Sequence, residues 1–290
     1  MTFLYTNIVM VEKLYIDTKY YFGKNAIVDN LSQEIKNKKA KTVFLLYCSS
    51  SIKKNGIYDQ VINEIKKAKV KIVEHSGIQP NPLTSDCDKA ILEGRKHKVD
   101  LIIAVGGGSV IDEAKVVATC IPNTNIKKSW SIMRNIELAP KKAIPIFSII
   151  TLAATGSESN YGAVITNTET KDKWAVQTYD RPCVCFEDPT YTYSVSKWQT
   201  GSGTFDIFSH LLEEYYDMKY DFDWTKQYLI ANMKIVLKYA KTALMYPNDY
   251  RARANLLWTS SWTLNGLGEF NISGDWTVHG LEHALSAKYN

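Results

Sequence analysis

The chain has 290 residues, 45% hydrophobic and 22% charged, which is ordinary for a globular protein with room for two domains or one large one. Its 35 basic and 30 acidic residues leave a formal charge of +5, and the basic residues fall in short runs such as Lys36-Asn37-Lys38-Lys39. That pattern excludes a nucleic-acid-binding stripe and suits an anionic cofactor. No apolar run approaches a membrane span, and the five cysteines (Cys48, Cys87, Cys120, Cys183, Cys185) show no CxxC spacing. The expectation is therefore a cytoplasmic protein with reduced thiols and no membrane partner.

The N-terminal stretch MTFLYTNIVMVEKLYIDTKYYFG lacks the three regions of a signal peptide, and Met10 is an alternative start. Thr42–Tyr47 (TVFLLY) then reads as a buried strand, 56–69 as a helix, 70–75 as a strand, 85–97 as a helix and 101–105 (LIIAV) as a strand. A helix is predicted over 110–120 and a strand over 143–152. Alternating β and α segments of this length argue a mostly parallel sheet with right-handed crossovers. After the turn Glu187-Asp188-Pro189 the strand signals stop, and helical periodicity covers 203–218, 223–245, 249–267 and 277–289. The predicted organisation is an α/β domain over residues 1–193 followed by an all-α domain over 194–290.

Three stretches carry chemistry. LIIAVGGGSVIDEAK (101–115) runs from a strand through three glycines and a serine into a helix. Gly107, Gly108 and Ser109 let a backbone approach a pyrophosphate at a helix N-terminus; the alternative is a tight turn with no ligand. The spacing is not G-x-G-x-x-G, so an ordinary Rossmann domain is not implied. TLAATGSESN (151–160) is rich in hydroxyls and follows a strand, so it reads either as a surface turn or as the lining of a cofactor groove. Asp206 and His210 are four residues apart, as are His279 and His283, which puts each pair on one helix face. A set of Asp and His suits a borderline divalent metal such as Fe²⁺ or Zn²⁺, although Asp206 and His210 alone would as readily be an exposed pair. His75 and His97 sit among charged residues and read as surface positions. The chain stops at Asn290, seven residues after His283 and with no helix-ending Gly or Pro, so the metal site reads as unfinished.

Taken together, FGKNAI (22–27), SIKKNGIYD (51–59), GIQPNP (77–82), AVGGGSVIDEAK (104–115), TLAATGSESNYGAVIT (151–166), DPTYTYS (188–194), FDIFSHLLEEYY (205–216), LNGLG (264–268) and GDWTVHGLEHALSA (274–287) resemble the iron-containing (group III) alcohol dehydrogenases. The likeness is to their branch of butanol dehydrogenases and NADPH-dependent aldehyde reductases. The resemblance implies an α/β dinucleotide-binding domain followed by an all-helical metal domain, a dehydroquinate-synthase-like architecture, here with its C-terminal part missing. It implies Asp206, His210 and His279 as metal ligands and His283 as a proton-relay group beside the substrate. Gly107, Gly108 and Ser109 would hold the pyrophosphate, with Asp112 towards the nicotinamide; Thr151, Asn160, Lys173 and Tyr191 match cofactor-contacting positions. It also implies a homodimer formed near the N-terminus.

Two departures stand out. A further ligand histidine, in a segment like D-x-x-H-G, would follow Tyr289 in the family. The family's Y-G-G-G-S turn reads Tyr47-Cys48-Ser49-Ser50-Ser51 here, which restricts the backbone. With Lys53 and Lys54 beyond Ser49 and Ser51 and no acidic residue at that turn, NADP(H) is expected over NAD(H). The resulting expectation is a metal-dependent NAD(P)H oxidoreductase acting between small aldehydes and primary alcohols, with weak metal binding and little turnover in the 290-residue form. The rivals are a polyol-phosphate dehydrogenase or dehydroquinate-synthase-like enzyme on the same fold, which would want Lys and Arg around the metal, and an inactive remnant. Trp276, Leu281, Leu285 and Phe270 near the histidines argue an apolar lining and an uncharged substrate.

Overall fold

TVFLLY and LIIAVG are buried at every position, because the sheet they form is covered on both faces and leaves no polar side to alternate with. The computed structural model describes residues 14–48, 51–134, 142–219, 222–269 and 272–289; Met10, Ser49 and Phe270 lie outside them. In chain order the elements are β1 (Lys19–Phe22), α1 (Ala26–Asn37), β2 (Thr42–Tyr47), α2 (Ser51–Lys54), α3 (Ile57–Lys67), β3 (Lys71–Ser76), α4 (Thr84–His97), β4 (Leu101–Gly106), α5 (Gly108–Cys120), α6 (Trp130–Arg134), β5 (Ile146–Ile150), β6 (Gly162–Thr166), β7 (Lys173–Gln177), β8 (Val184–Glu187), α7 (Lys197–Tyr216), α8 (Asp223–Met245), α9 (Tyr250–Thr263) and α10 (Thr277–Tyr289). Among the described residues, six parallel strands lie in the order β1-β8-β5-β4-β2-β3, and β6 and β7 form a separate antiparallel pair.

The side-chain period of two divides the core. Val43, Leu45, Ile103 and Val105 pack under α1 and α3 with Ile27, Leu31 and Ile65. Phe44, Leu46, Ile102 and Ala104 pack under α4 and α5 with Ile91, Ile111 and Ala114. A third cluster joins α7, α8 and α9 through Ile207, Leu211, Leu229, Val236 and Leu256. The α/β part followed by a helical part agrees with the expected fold class. The sequence reading passed over β1, α1, β8 and the β6–β7 hairpin. Four-residue strands such as KYYF and VCFE are too short for a clear period. Among the described residues no helix is long and apolar enough to cross a membrane.

The loop after β5 ties the two parts together. Of the two readings its sequence allows, a surface turn does not hold for Ser157, Glu158 and Ser159, which are buried. A Cβ on Gly203 of α7 would stand 2.4 Å from the Ala153 carbonyl oxygen, so only glycine lets the helix lie this close. The Ala154 N–H donates to Ser260 Oγ of α9 (2.9 Å). Below it, the Ser261 hydroxyl lies 2.7 Å from Glu158 Oε1 and 2.8 Å from Glu187 Oε1. Burial, and then the neighbouring Glu158, pushes the Glu187 carboxyl up to about 8 from an ordinary 4.5. The folded protein therefore holds a proton that the unfolded chain has lost between those values, and stability falls as pH rises through that window. Glu187→Gln is expected to flatten this dependence and to stabilise the protein by roughly 1–3 kcal/mol near pH 8. Urea unfolding near pH 5.5 and near pH 8 measures it, and equal pH slopes in both proteins would exclude the account.

Candidate metal and cofactor site

The strand order reverses between β2 and β4: from β2 the chain steps outward to β3, and from β4 it steps the other way to β5. In an open parallel sheet, ligands bind beyond the carboxyl ends of the strands at such a switch point. Two turns meet there. After β2 come Cys48 and then Ser51, the exposed first residue of α2. β4 ends at Gly106 and Gly107 follows; α5 begins at Gly108 with no side-chain cap, so the N–H groups of its first turn, which includes Ser109, have no side chain closing them off. A Cβ on Gly108 would sit 2.3 Å from Thr155 Oγ1, so glycine is required there. The Thr151 N–H donates to the Gly106 carbonyl (3.1 Å) and fixes the 151–160 loop against the turn.

Behind the turn, Asp112 accepts from the Ser157 hydroxyl (2.5 Å) and the Val164 N–H (2.9 Å). Lys115, fully buried, donates to Ser157 Oγ (2.8 Å), Asn160 Oδ1 (3.1 Å) and the Gly162 carbonyl (2.5 Å). Burial brings its ammonium down to about 8, against the pull of Asp112 and Glu158. The sequence reading passed over Lys115; its signal was a lysine at i+3 from Asp112, running straight into the apolar Val116-Val117-Ala118. Asn160 also accepts from the Gly162 N–H (2.9 Å). Tyr191 is buried in the α1–α3 face of the core, its hydroxyl donating to Gln60 (2.7 Å).

Asp206, His210 and Glu213 share one face of α7, and His279 and His283 share one face of α10. The two helices bring Asp206 Oδ1 to 3.9 Å from His210 Nε2 and 3.7 Å from His279 Nε2. The two imidazoles stack at 4.5 Å and 10°. Donor atoms of Asp206, His210 and His279 lie within 4.8 Å of one another, close to the roughly 3.3–3.7 Å between two ligands of a tetrahedral ion. The donor set therefore fits a divalent metal. Glu213 was not foreseen. It hydrogen-bonds His279 Nδ1 and accepts the Val278 N–H (2.9 Å) at the start of α10. With the proton on Nδ1, His279 turns its Nε2 lone pair towards Asp206.

Burial holds the His210 imidazole down to about 4, so it is neutral and able to donate its lone pair. Burial would raise Asp206, but its contacts with His279 and His210 outweigh that and hold it below the usual carboxylate range, so it stays ionised. For His279, burial is outweighed by Asp206 and Glu213, and the net shift is upward. His283 stands beside His279 with ring centres 6.5 Å apart and is lowered by burial and then by Lys173. Trp276 sets an edge against both His210 (6.3 Å) and His279 (5.6 Å). Lys173, on β7, holds α10 through Glu282 (3.2 Å) and Ser286 (2.8 Å).

Two expectations are corrected. Leu281 and Leu285 are 63% and 62% exposed, on a different face of α10 from the histidines, so they do not line the centre. His75 is only 9% exposed; Val73 and His75 share the buried face of β3 because strand side chains alternate.

Residues 17–189 match the model of the iron-containing alcohol dehydrogenases, and residues 200–290 match the C-terminal model of the Fe-containing alcohol dehydrogenase family. The NADH-dependent butanol dehydrogenase A of Clostridium acetobutylicum is 41% identical over 279 residues, covering 95% of this chain and 70% of the relative. The NADPH-dependent aldehyde reductase of Escherichia coli is 34% identical over 277 residues, with coverage of 95% and 70%. The crystal structure of NADH-dependent butanol dehydrogenase A from Thermotoga maritima superposes with a TM-score of 0.91 at 38% identity, covering 96% of this chain and 69% of that one.

Proposed function

Since the chain belongs to the iron-containing alcohol dehydrogenase family, metal-dependent NAD(P)(H) oxidoreductases of aldehydes and alcohols, we propose that Asp206, His210 and His279 hold its Fe²⁺ or Zn²⁺ and that residues 1–193 bind the cofactor. The observation that carries this is the convergence of one carboxylate and two imidazoles from α7 and α10 on one point. A divalent ion bound there supplies Lewis acidity to the substrate oxygen.

The residues around it have separate tasks. Glu213 fixes the tautomer and orientation of His279. His283, neutral and partly accessible, passes a proton between the substrate oxygen and water, the task of a general acid–base group. Gly107, Gly108 and Ser109 receive the pyrophosphate at the start of α5, with Thr151 and Asn160 on the facing loop and Asp112 and Lys115 holding that loop in place. Lys173 anchors α10 and so keeps both histidines in register. The polyol-phosphate and dehydroquinate-type alternatives are not favoured. The relatives described above are named for butanol and aldehyde chemistry, and the Lys173 ammonium beside the histidines is engaged by Glu282 and Ser286.

The finer reading is NADP(H) over NAD(H), acting on small aldehydes in the cytoplasm as a homodimer. Ser51, Lys53 and Lys54 at the β2 turn supply a hydroxyl and two cations for a 2′-phosphate. The relatives described above divide: the butanol dehydrogenases of Clostridium acetobutylicum and Thermotoga maritima are named NADH-dependent, the Escherichia coli aldehyde reductase NADPH-dependent. For the dimer, β1 is the edge strand of the sheet among the described residues. Oxidation of NADPH and of NADH with butanal, in the presence of Fe²⁺ under anaerobic conditions, tests the function. Aldehyde-dependent consumption that is faster with NADPH and drops when Ser51 becomes Ala is the expected result. Consumption confined to a phosphorylated polyol would overturn the substrate class, and faster NADH use indifferent to Ser51→Ala would overturn the cofactor preference.

A further inference from the structure

Where α5 faces α4 and β3, a second group of ligand-type side chains converges. His75 comes from β3, Asp86 and Glu93 from α4, and Glu113 from α5. His75 Nε2 lies 3.4 Å from Asp86 Oδ2 and 3.5 Å from Glu113 Oε1, while its other ring nitrogen, Nδ1, faces Glu93 Oε2 at 3.5 Å. The three inner donors lie within 4.8 Å of one another. Glu113 is 0% exposed and neither of its oxygens has a hydrogen-bond partner; His75 Nε2 has none either.

The 3.4 and 3.5 Å contacts are long for hydrogen bonds to an imidazole. They are the right length for something else. Two ligands at 2.0–2.1 Å from a tetrahedral ion stand about 3.3–3.4 Å apart. The charges point the same way. One imidazole, even protonated, faces three carboxylates, and an ionised Glu113 buried without partners would cost several kcal/mol. Glu93 sits where an outer carboxylate sits in a carboxylate–histidine–metal arrangement: a proton on Nδ1 directed at Glu93 leaves the Nε2 lone pair for the ion. Side chains of Asp86 (26% exposed) and Glu93 (38%) reach the surface and give the ion a way in.

We propose that His75 Nε2, Asp86 and Glu113 form a second divalent-cation site, separate from Asp206, His210 and His279, with Glu93 orienting the histidine. A nitrogen and two carboxylate oxygens select a borderline ion of the Zn²⁺ type, with water at the remaining position. The ion pins β3 to α4 and α5, the three elements that supply its ligands, and so has a structural role.

The test begins with the double variant Asp206→Ala, His210→Ala, which removes the first centre. Calorimetric titration of this folded protein with Zn²⁺, and visible spectroscopy with Co²⁺ in its place, is expected to show one bound equivalent with the absorption of a four-coordinate nitrogen–oxygen site. Adding Glu113→Gln or, at a partly exposed position that leaves the core intact, Asp86→Asn should weaken binding by roughly a hundredfold. Glu93→Gln should weaken it by roughly tenfold or more while keeping the Co²⁺ spectrum. Circular dichroism confirms that each variant is folded. A folded double variant that binds no equivalent overturns the proposal. So does binding indifferent to both Asp86→Asn and Glu113→Gln, which would mark adventitious surface association.

Discussion

Asp206→Ala is expected to weaken Fe²⁺ or Zn²⁺ binding at the α7–α10 centre by roughly a thousandfold and to reduce aldehyde reduction at least as far. Asp206 is the sole anion among the three inner donors, and its oxygen is the atom both imidazoles face, at 3.9 and 3.7 Å. Removing it leaves two stacked imidazoles, which is too few ligands for a catalytic ion. The cost is about 4 kcal/mol at that factor. A graded series makes the assignment specific. Glu213→Gln, which touches the outer nitrogen of His279 and the Val278 N–H but not the ion, should lower affinity by about 10–100-fold. His283→Ala should leave metal affinity unchanged and lower kcat by about 10²–10⁴-fold, with loss of one limb of the pH profile. The titration is read in a Glu113→Gln background, so that only this centre contributes. Tight stoichiometric binding that survives Asp206→Ala there would remove the residue from the ligand set.

The second large effect is structural. Lys115→Met should destabilise the protein by about 3–5 kcal/mol and lower the melting temperature by roughly 10 °C. The ammonium is completely enclosed, and three acceptors from the 157–162 segment depend on it. Its charge also lowers the buried Asp112 carboxyl, which burial otherwise raises. Methionine fills the volume but removes the donor to the Gly162 carbonyl, one of the two donors to Asn160 Oδ1 and the main cation acting on Asp112. Because that segment faces the Gly107–Ser109 turn, cofactor affinity should fall along with stability. The exposed Lys41→Met serves as control and should shift stability by no more than about 0.5 kcal/mol. Differential scanning calorimetry and cofactor fluorescence titration read the two effects. A Lys115→Met protein as stable as the control would show that Lys115 is replaceable packing.

The sequence by itself determined the local elements and each half of the metal centre. The run TVFLLY has no polar alternation, so it could only be a strand covered on both faces. Asp206 and His210 share a helix face because 3.6 residues make a turn, and His279 and His283 do so for the same reason. The strand-to-glycine-to-helix signal at 101–115 also needed nothing beyond the chain, as did the fold class. Tertiary structure alone decided what those faces meet. Asp206 and His279 lie 73 residues apart, and no period links them; α7 and α10 are brought together by packing, with Glu213 and Lys173 as the ties.

His75 shows the limit most directly. Its charged neighbours gave it a surface reading, because local composition averages over both faces of a strand. The alternation shared with Val73 pointed inward, but which carboxylates waited there was set by α4 and α5, 11 and 38 residues further on at Asp86 and Glu113. Periodicity fixes the direction of a side chain relative to its own element. The partner it meets depends on how separate elements pack, and that is a property of the whole core.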